Sequence, residues 1–231
     1  MAGRRTRAIV LFGDVVESRS TERSTAWLRS LRDELEAAYP PADLLAPWEF
    51  TQGDELQGLL RLGADPLAAV ERGWLRDDRL PMRWVIVVGE VAPGQGPATQ
   101  RTGPAFVRAR ELIGFARRRR ERLVARTGDR RIDQLLDGTT PAFARLLAEL
   151  TDRQRDVARL LIVDRLRQSE AAKRLNIKAP TVSVAAERAG VREIAGLGDA
   201  IRRLIQIGIE ETGAVRPPAE PAFPAAPGSP A

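Results

Sequence analysis

The hydrophobic pattern opens with an unbroken apolar run over Arg7–Phe12, ended by Gly13, which predicts a buried strand. Over Ser24–Ala38 the positions Trp27, Leu28, Leu31 and Leu35 recur at helical spacing, and Pro40-Pro41 stops the helix. Trp48–Thr51 and Leu56–Leu60 read as short strands around Gln52-Gly53-Asp54-Glu55, a hairpin signature. A helix follows over about Pro66–Leu75 with Leu67, Val70 and Trp74 on one face, then a strand over Met82–Val88. Pro104 to about Arg118 returns to helical spacing through Phe106, Ala109, Ile113 and Ala116, and Arg122–Arg126 alternates as a last, edge strand. The order β-α-β-β-α-β-α-β predicts an α+β fold. Its core is a ferredoxin- or palm-like β-α-β-β-α-β sheet domain, followed by an all-α helix-turn-helix domain.

Ile132, Leu135, Leu136, Thr139, Phe143 and Leu147 repeat every three or four residues, predicting an amphipathic connector whose second half Pro141 opens. Beyond it, Thr151-Asp152-Arg153-Gln154 has the form of a capping box. A helix then turns Val157, Leu160 and Leu161 inward, and a second starts at Gln168. Asn176 stands where the chain must turn sharply, and Asn tolerates the left-handed conformation better than most residues. Ile177 plugs that corner, Pro180 suits the first turn of a third helix, and Val182 faces the seam. This leaves Thr181, Ser183 and Val184 or Ala185 near the open side. Val191–Ile209 forms one more helix with Ile194, Leu197, Ile201, Leu204 and Ile205 on one face, able to pair two subunits or to close the bundle. The Pro- and Ala-rich stretch 214–231 is expected to be a disordered tail. The expected division is 1–130 for the sheet domain, 131–150 for the connector, 151–213 for the helix-turn-helix domain and 214–231 for the tail.

Composition narrows the chemistry. The 231 residues contain no cysteine and no histidine, which removes disulfides, reactive thiols, the usual zinc ligands and His-based acid/base catalysis. Catalysis here would need carboxylates, arginines or a hard, oxygen-bound metal such as Mg²⁺. The net charge of +6 is carried almost wholly by arginine, Lys173 and Lys178 being the only lysines. Such a balance fits attraction to nucleic-acid phosphates, and equally a genome of high G+C content. No stretch approaches the ~20 apolar residues that cross a bilayer, and the first apolar run is too short for a secretory segment, so a cytoplasmic location is expected.

The run Gln168-x-Glu170-x-Ala172-x-x-Leu175-x-Ile177-x-x-x-Thr181-Val182-Ser183 resembles the helix-turn-helix of sigma-factor region 4 and related bacterial regulators. The resemblance implies that the third helix enters the major groove of double-stranded DNA. Lys178, Thr181, Ser183, Glu187 and Arg188 are then candidates for base or phosphate contact, with Lys173 and Arg174 near the backbone. A helical bundle used for dimerisation is the alternative for this module.

In the N-terminal half, Asp14 follows the first strand and Asp54 sits at the hairpin tip, points that a β-α-β-β sheet can bring together. Two carboxylates held close repel unless a proton or cation joins them, and Mg²⁺ shared with substrate phosphates fits such a pair. Gly-Asp is also common in tight turns, where the carboxylate caps its own backbone. The layout resembles the palm-like core of class III nucleotidyl cyclases and GGDEF proteins; Arg83–Val91 is similar to the cyclase strand ending in Gly-Glu-Val, and Thr102–Arg110 to the helix after it. Val107 occupies the family's asparagine position and Arg110 lies one place out of register. Over most of its length the chain resembles the SatD family. The segments Gly13-Asp14-Val15-Val16-Glu17-Ser18-Arg19, Gln52–Leu59 and Gly103-Pro104-Ala105-Phe106-x-x-Ala109-Arg110-Glu111 carry that likeness.

The expected function is a DNA-binding transcriptional regulator, a homodimer on paired half-sites, whose palm-like domain senses a nucleotide or other phosphorylated ligand. Asp14 and Asp54 would hold magnesium, while Arg19, Gln52, Glu55 and Gln57 would contact the nucleotide. The alternatives are a metal-dependent nucleotide cyclase or nucleotidyl transferase, with Asp14, Asp54 and Arg110 as catalytic candidates, and a degenerate palm serving as an interaction scaffold. Arg117-Arg118-Arg119-Arg120 reads as a solvated helix end, with a clamp on phosphate as the alternative.

Overall fold

The computed structural model describes residues 5–16, 22–51, 55–78 and 80–214. The predicted hairpin tip at Asp54, together with Arg19, Gln52 and the Pro/Ala-rich tail, lies outside the described residues.

The fold is α+β: a five-stranded mixed sheet with helices on both faces, followed by a helical C-terminal region. The strands are β1 (Thr6–Val15), β2 (Leu44–Phe50), β3 (Glu55–Leu60), β4 (Met82–Val91) and β5 (Leu123–Arg126), in the order β2-β3-β1-β4-β5. The first four are antiparallel neighbours and β5 adds parallel to β4 at the edge. The helices α1 (Glu22–Ala38), α2 (Leu67–Trp74) and α3 (Pro104–Arg119) complete a β-α-β-β-α-β unit with one α-β extension.

Alternation along β1 sorts the layers. Ile9, Leu11 and Val15 share a core with α1 and α2, whereas Ala8, Val10 and Phe12 pack with Phe106, Ala109, Ile113 and Ala116 of α3. Both faces are covered, so β1 reads as a continuous apolar run rather than an alternating one. On β3, Gly58 leaves room for the Trp48 indole of β2, which a Cβ would strike.

The helix α4 (Arg130–Ala148) runs unbroken through Pro141, where a new start was expected. The hydroxyls of Thr139 and Thr140 donate to the carbonyls of Leu135 and Leu136, bracing the turn in which Pro141 offers no N–H. The helix buries Ile132, Leu136, Thr140, Phe143, Ala144 and Leu147, and the predicted inward Leu135 lies exposed. Its buried face joins the large core on the α1/α2 side.

The C-terminal region consists of α5 (Asp152–Ala158), a π-helical turn (Arg159–Val163), α6 (Gln168–Arg174), α7 (Ala179–Arg188) and α8 (Val191–Ala214). The stripe of α8 does not close a separate bundle and is not open for pairing subunits, because Ile194, Ile201, Ile205 and Ile209 are buried in the same core as the sheet and α4. Their burial stabilises this docking by about 6–12 kcal/mol, an upper estimate from area removed from water. The far end is pinned as well: Arg7 of β1 donates to the carbonyl of Ile209 at 3.1 Å and to the Thr212 hydroxyl, and Gly208 lets α8 pass close to Thr127. Among the described residues no helix is long and apolar enough to cross a membrane.

Candidate nucleic-acid interface

The three short helices α5, α6 and α7 carry their own small core of Val157, Leu160, Ala171, Ala172, Val182 and Ala186, with Ile177, Leu175 and Leu166 packed at its margin. The capping box starts the unit as expected: the Thr151 N–H donates to Gln154 Oε1 at 2.9 Å, and the Gln154 N–H donates to the Thr151 hydroxyl. Asn176 takes the left-handed conformation at φ 52°, letting the chain reverse between α6 and α7, and Pro180 lies in the first turn of α7. Small residues at 171, 172, 185 and 186 allow such short helices to approach closely.

With Val182, Ala186 and Ala189 buried, helical periodicity turns Pro180, Val184 and Glu187 outward, flanked by Ser183 on one side and Thr181 and Arg188 on the other; all six are exposed. Lys178, the N-cap residue of α7, and Lys173 and Arg174 at the end of α6 are exposed too. All seven residues expected at a DNA surface therefore lie on the outside of one helix-turn-helix unit. A cleft of about 520 Å³ borders this face, lined among others by Gln168, Ser183, Glu187 and Arg192.

Among the described residues, Lys173, Arg174, Lys178 and Arg188 form no ion pair. Around the sheet, several arginines are paired internally, while others such as Arg118, Arg119 and Arg120 are exposed. Glu34 of α1 receives Arg76 at 2.6 Å, Arg159 at 2.7 Å and Arg72 at 3.7 Å. Arg202 of α8 binds Glu71 at 2.6 Å and Asp65 at 2.8 Å. Burial raises the Glu71 carboxyl above the ordinary glutamate range, outweighing Arg202, whose own charge is held more firmly by the two carboxylates.

Arg159 also marks the joint between the two parts. It belongs to the π-helical turn, from which Leu160 enters the small core while Ile162 and Val163 pack against the large one. A single wide turn thus divides its side chains between both cores. Nothing in the sequence periodicity announces it.

On the sheet, Glu55, Asp14 and Arg83 are cross-strand neighbours on β3, β1 and β4, facing α3 together with Phe12 and Gln57. Asp14 is 3% exposed. Its Oδ2 accepts from Arg83 Nη1 at 2.8 Å and from Arg117 Nε at 3.1 Å, and its Oδ1 accepts from Arg117 Nη2. Arg83 further donates from Nε to the Glu121 carbonyl at 2.9 Å. Two guanidiniums compensate this carboxylate and tie β1, β4 and the end of α3 together. Gln57 is buried and donates to Glu55 at 2.7 Å, while exposed Arg110 lies over the Phe12 ring at 5.7 Å. The structure therefore brings Asp14, Glu55, Gln57 and Arg110 to one face. Arg117, the first residue of the arginine run, is engaged there, and Arg83 is the partner that sequence reasoning missed. A lone arginine among the apolar residues of β4, at the parity of Val85 and Val87, was the available signal.

No family model and no curated protein matches the chain. Among solved structures it is similar to the crystal structure of a regulator of polyketide synthase expression from Bifidobacterium adolescentis, at 14% identity over 87% of this chain and 82% of that chain. The TM-score is 0.27, and a likeness that loose carries no argument. The resemblance to the SatD family rests on the motifs alone.

Proposed function

We propose that the chain is a DNA-binding regulator in which α7 lies in the major groove and α6 braces it against the backbone. The observation that carries this reading is the outward Thr181–Arg188 face, rimmed by the exposed Lys173, Arg174, Lys178 and Arg188, which form no ion pair among the described residues. Lysine occurs nowhere else in the chain. Residues 151–190 are the docking module in this reading, and α8 holds it against the sheet domain. A homodimer would present two such faces to paired half-sites, which sedimentation velocity with and without duplex measures.

Titration of the whole protein on a duplex, followed by fluorescence anisotropy across salt, tests the reading. Log affinity is expected to fall steeply with log salt, and the K173A/K178A double variant to lower the slope by about 1.8, ~0.9 for each phosphate contact removed. A flat salt dependence, or a slope unmoved by the double variant, sinks it.

A second reading concerns the sheet face, where a phosphorylated ligand is the candidate: Arg83 and Arg117 pair with Asp14, Arg110 lies over neighbouring Phe12, and Glu55 is the second carboxylate of the face. A ligand held there would be gripped by arginine rather than through a Mg²⁺ on Asp14, whose oxygens already accept three guanidinium hydrogen bonds. Thermal shifts with each nucleoside triphosphate, with and without Mg²⁺, measure it: stabilisation independent of Mg²⁺ and weakened in R110A supports an arginine-held ligand. Turnover with Mg²⁺ would favour the nucleotidyl-transfer alternative, and no shift at all would leave a scaffold.

A further inference from the structure

The chemistry of the outward α7 face goes further than duplex binding, on which this inference rests. The middle of that face is Pro180, Val184 and Glu187, an apolar ridge ending in a carboxylate. Val184 is 45% exposed, one of the few large apolar side chains the fold leaves in solvent. No arginine, asparagine or glutamine stands at the centre, so the bidentate contacts that read guanine or adenine have no donor there. Arg188 and Lys178 lie toward the margins, where cations meet phosphates.

The major groove offers few groups that suit such a face. Guanine shows two acceptors, which repel a carboxylate. The C5-methyl of thymine is the apolar group of the major-groove edges, and the N4 amino group of cytosine is a donor without the neighbouring N7 acceptor that makes adenine less suited to a carboxylate. Val184 and Glu187 are three residues apart, ~4.5 Å along a helix, comparable with the ~3.4 Å rise between successive bases, so the two side chains can reach neighbouring base pairs. Thr181, one turn before Val184, adds a second methyl beside the ridge.

We infer that α7 reads a T·A pair beside a C·G pair, with Val184 against the thymine methyl and Glu187 accepting from the cytosine amino group. Specificity then depends on shape and one hydrogen bond more than on a bidentate code, and the surrounding cations supply the affinity.

The test begins with selection of duplexes by the full-length protein from a randomised library. Each thymine of the selected site is then replaced by deoxyuridine, which removes the methyl and nothing else. At one position per half-site the parent protein should lose about fourfold in affinity, the worth of one buried methyl. V184S should bind the thymine and uracil duplexes equally. E187Q should move the preference at the neighbouring base pair from cytosine toward adenine, which glutamine reads. Both side chains are exposed, so neither variant disturbs the fold. A selected site without a uracil-sensitive position, or V184S still telling thymine from uracil, overturns this inference while leaving duplex binding intact. Failure to recover any duplex at low salt overturns both.

Discussion

Replacing Asp14 by alanine removes the carboxylate that joins β1, β4 and α3. Arg83 would be left with its side chain only 9% exposed and its Nη1 without the acceptor it has now, although Nε keeps the Glu121 carbonyl. Arg117 is in a different position: its side chain is 51% exposed and can turn into water. Breaking a buried pair typically costs about 3–5 kcal/mol because one charge is stranded. With only Arg83 stranded, the lower end applies, about 3 kcal/mol. For a chain of this size that corresponds to a loss of roughly 6–12 °C in Tm. Urea denaturation followed by tryptophan fluorescence measures it, Trp84 being the immediate neighbour of Arg83 on β4. The companion D14L/R83M variant removes both charges and fills the space with apolar atoms, so most of the loss should return, to within about 1 kcal/mol of the parent. Mg²⁺ should leave the parent Tm unchanged, since a cation that bound the folded state alone would raise it. If D14A were as stable as the parent, the ion-pair account would be wrong; if Mg²⁺ stabilised the parent and not D14A, the carboxylate would be a cation ligand.

Three further outcomes test other parts of the structure. At Asn176, glycine should be tolerated within a few tenths of a kcal/mol while valine costs about 1–2 kcal/mol, because a β-branched residue is strained at φ 52°; equal stability of the two variants would refute the turn. Glu71 is 3% exposed with its carboxyl raised by burial, so its contribution is complete below the ordinary glutamate value of 4.5 and is lost as pH rises through the raised one. E71Q should therefore gain stability relative to the parent as pH rises above 4.5; a flat or falling difference would contradict the sign. At the joint, R159M should cost under about 1 kcal/mol, because Glu34 keeps Arg76 and methionine keeps the apolar stem, whereas E34A should cost about 2 kcal/mol by leaving Arg159 without its carboxylate, Arg76 retaining Asp78. Chemical denaturation of the two variants in parallel decides whether the asymmetry is there.

The local elements were legible in the sequence because their causes lie within a few residues. The capping box at Thr151, the left-handed Asn176, the Pro180 start of α7 and the inward Val182 each follow from turn chemistry or helical spacing. The same holds for the apolar runs of β1 and β4 and for the β-α-β-β-α-β order. What only the tertiary structure decided are relations across the chain. Asp14 meets Arg83 and Arg117 at separations of 69 and 103 residues, through strand register and the placement of α3 on one face of the sheet. The stripe on α8 is visible as periodicity, yet periodicity names a buried face and not its partner; the core of α4 and the sheet claimed it. Pro141 stops a helix by local rules and was carried through by the packing on either side and two threonine hydroxyls. Local patterning specifies which atoms need covering or pairing, and only the assembled layers determine which neighbours do it.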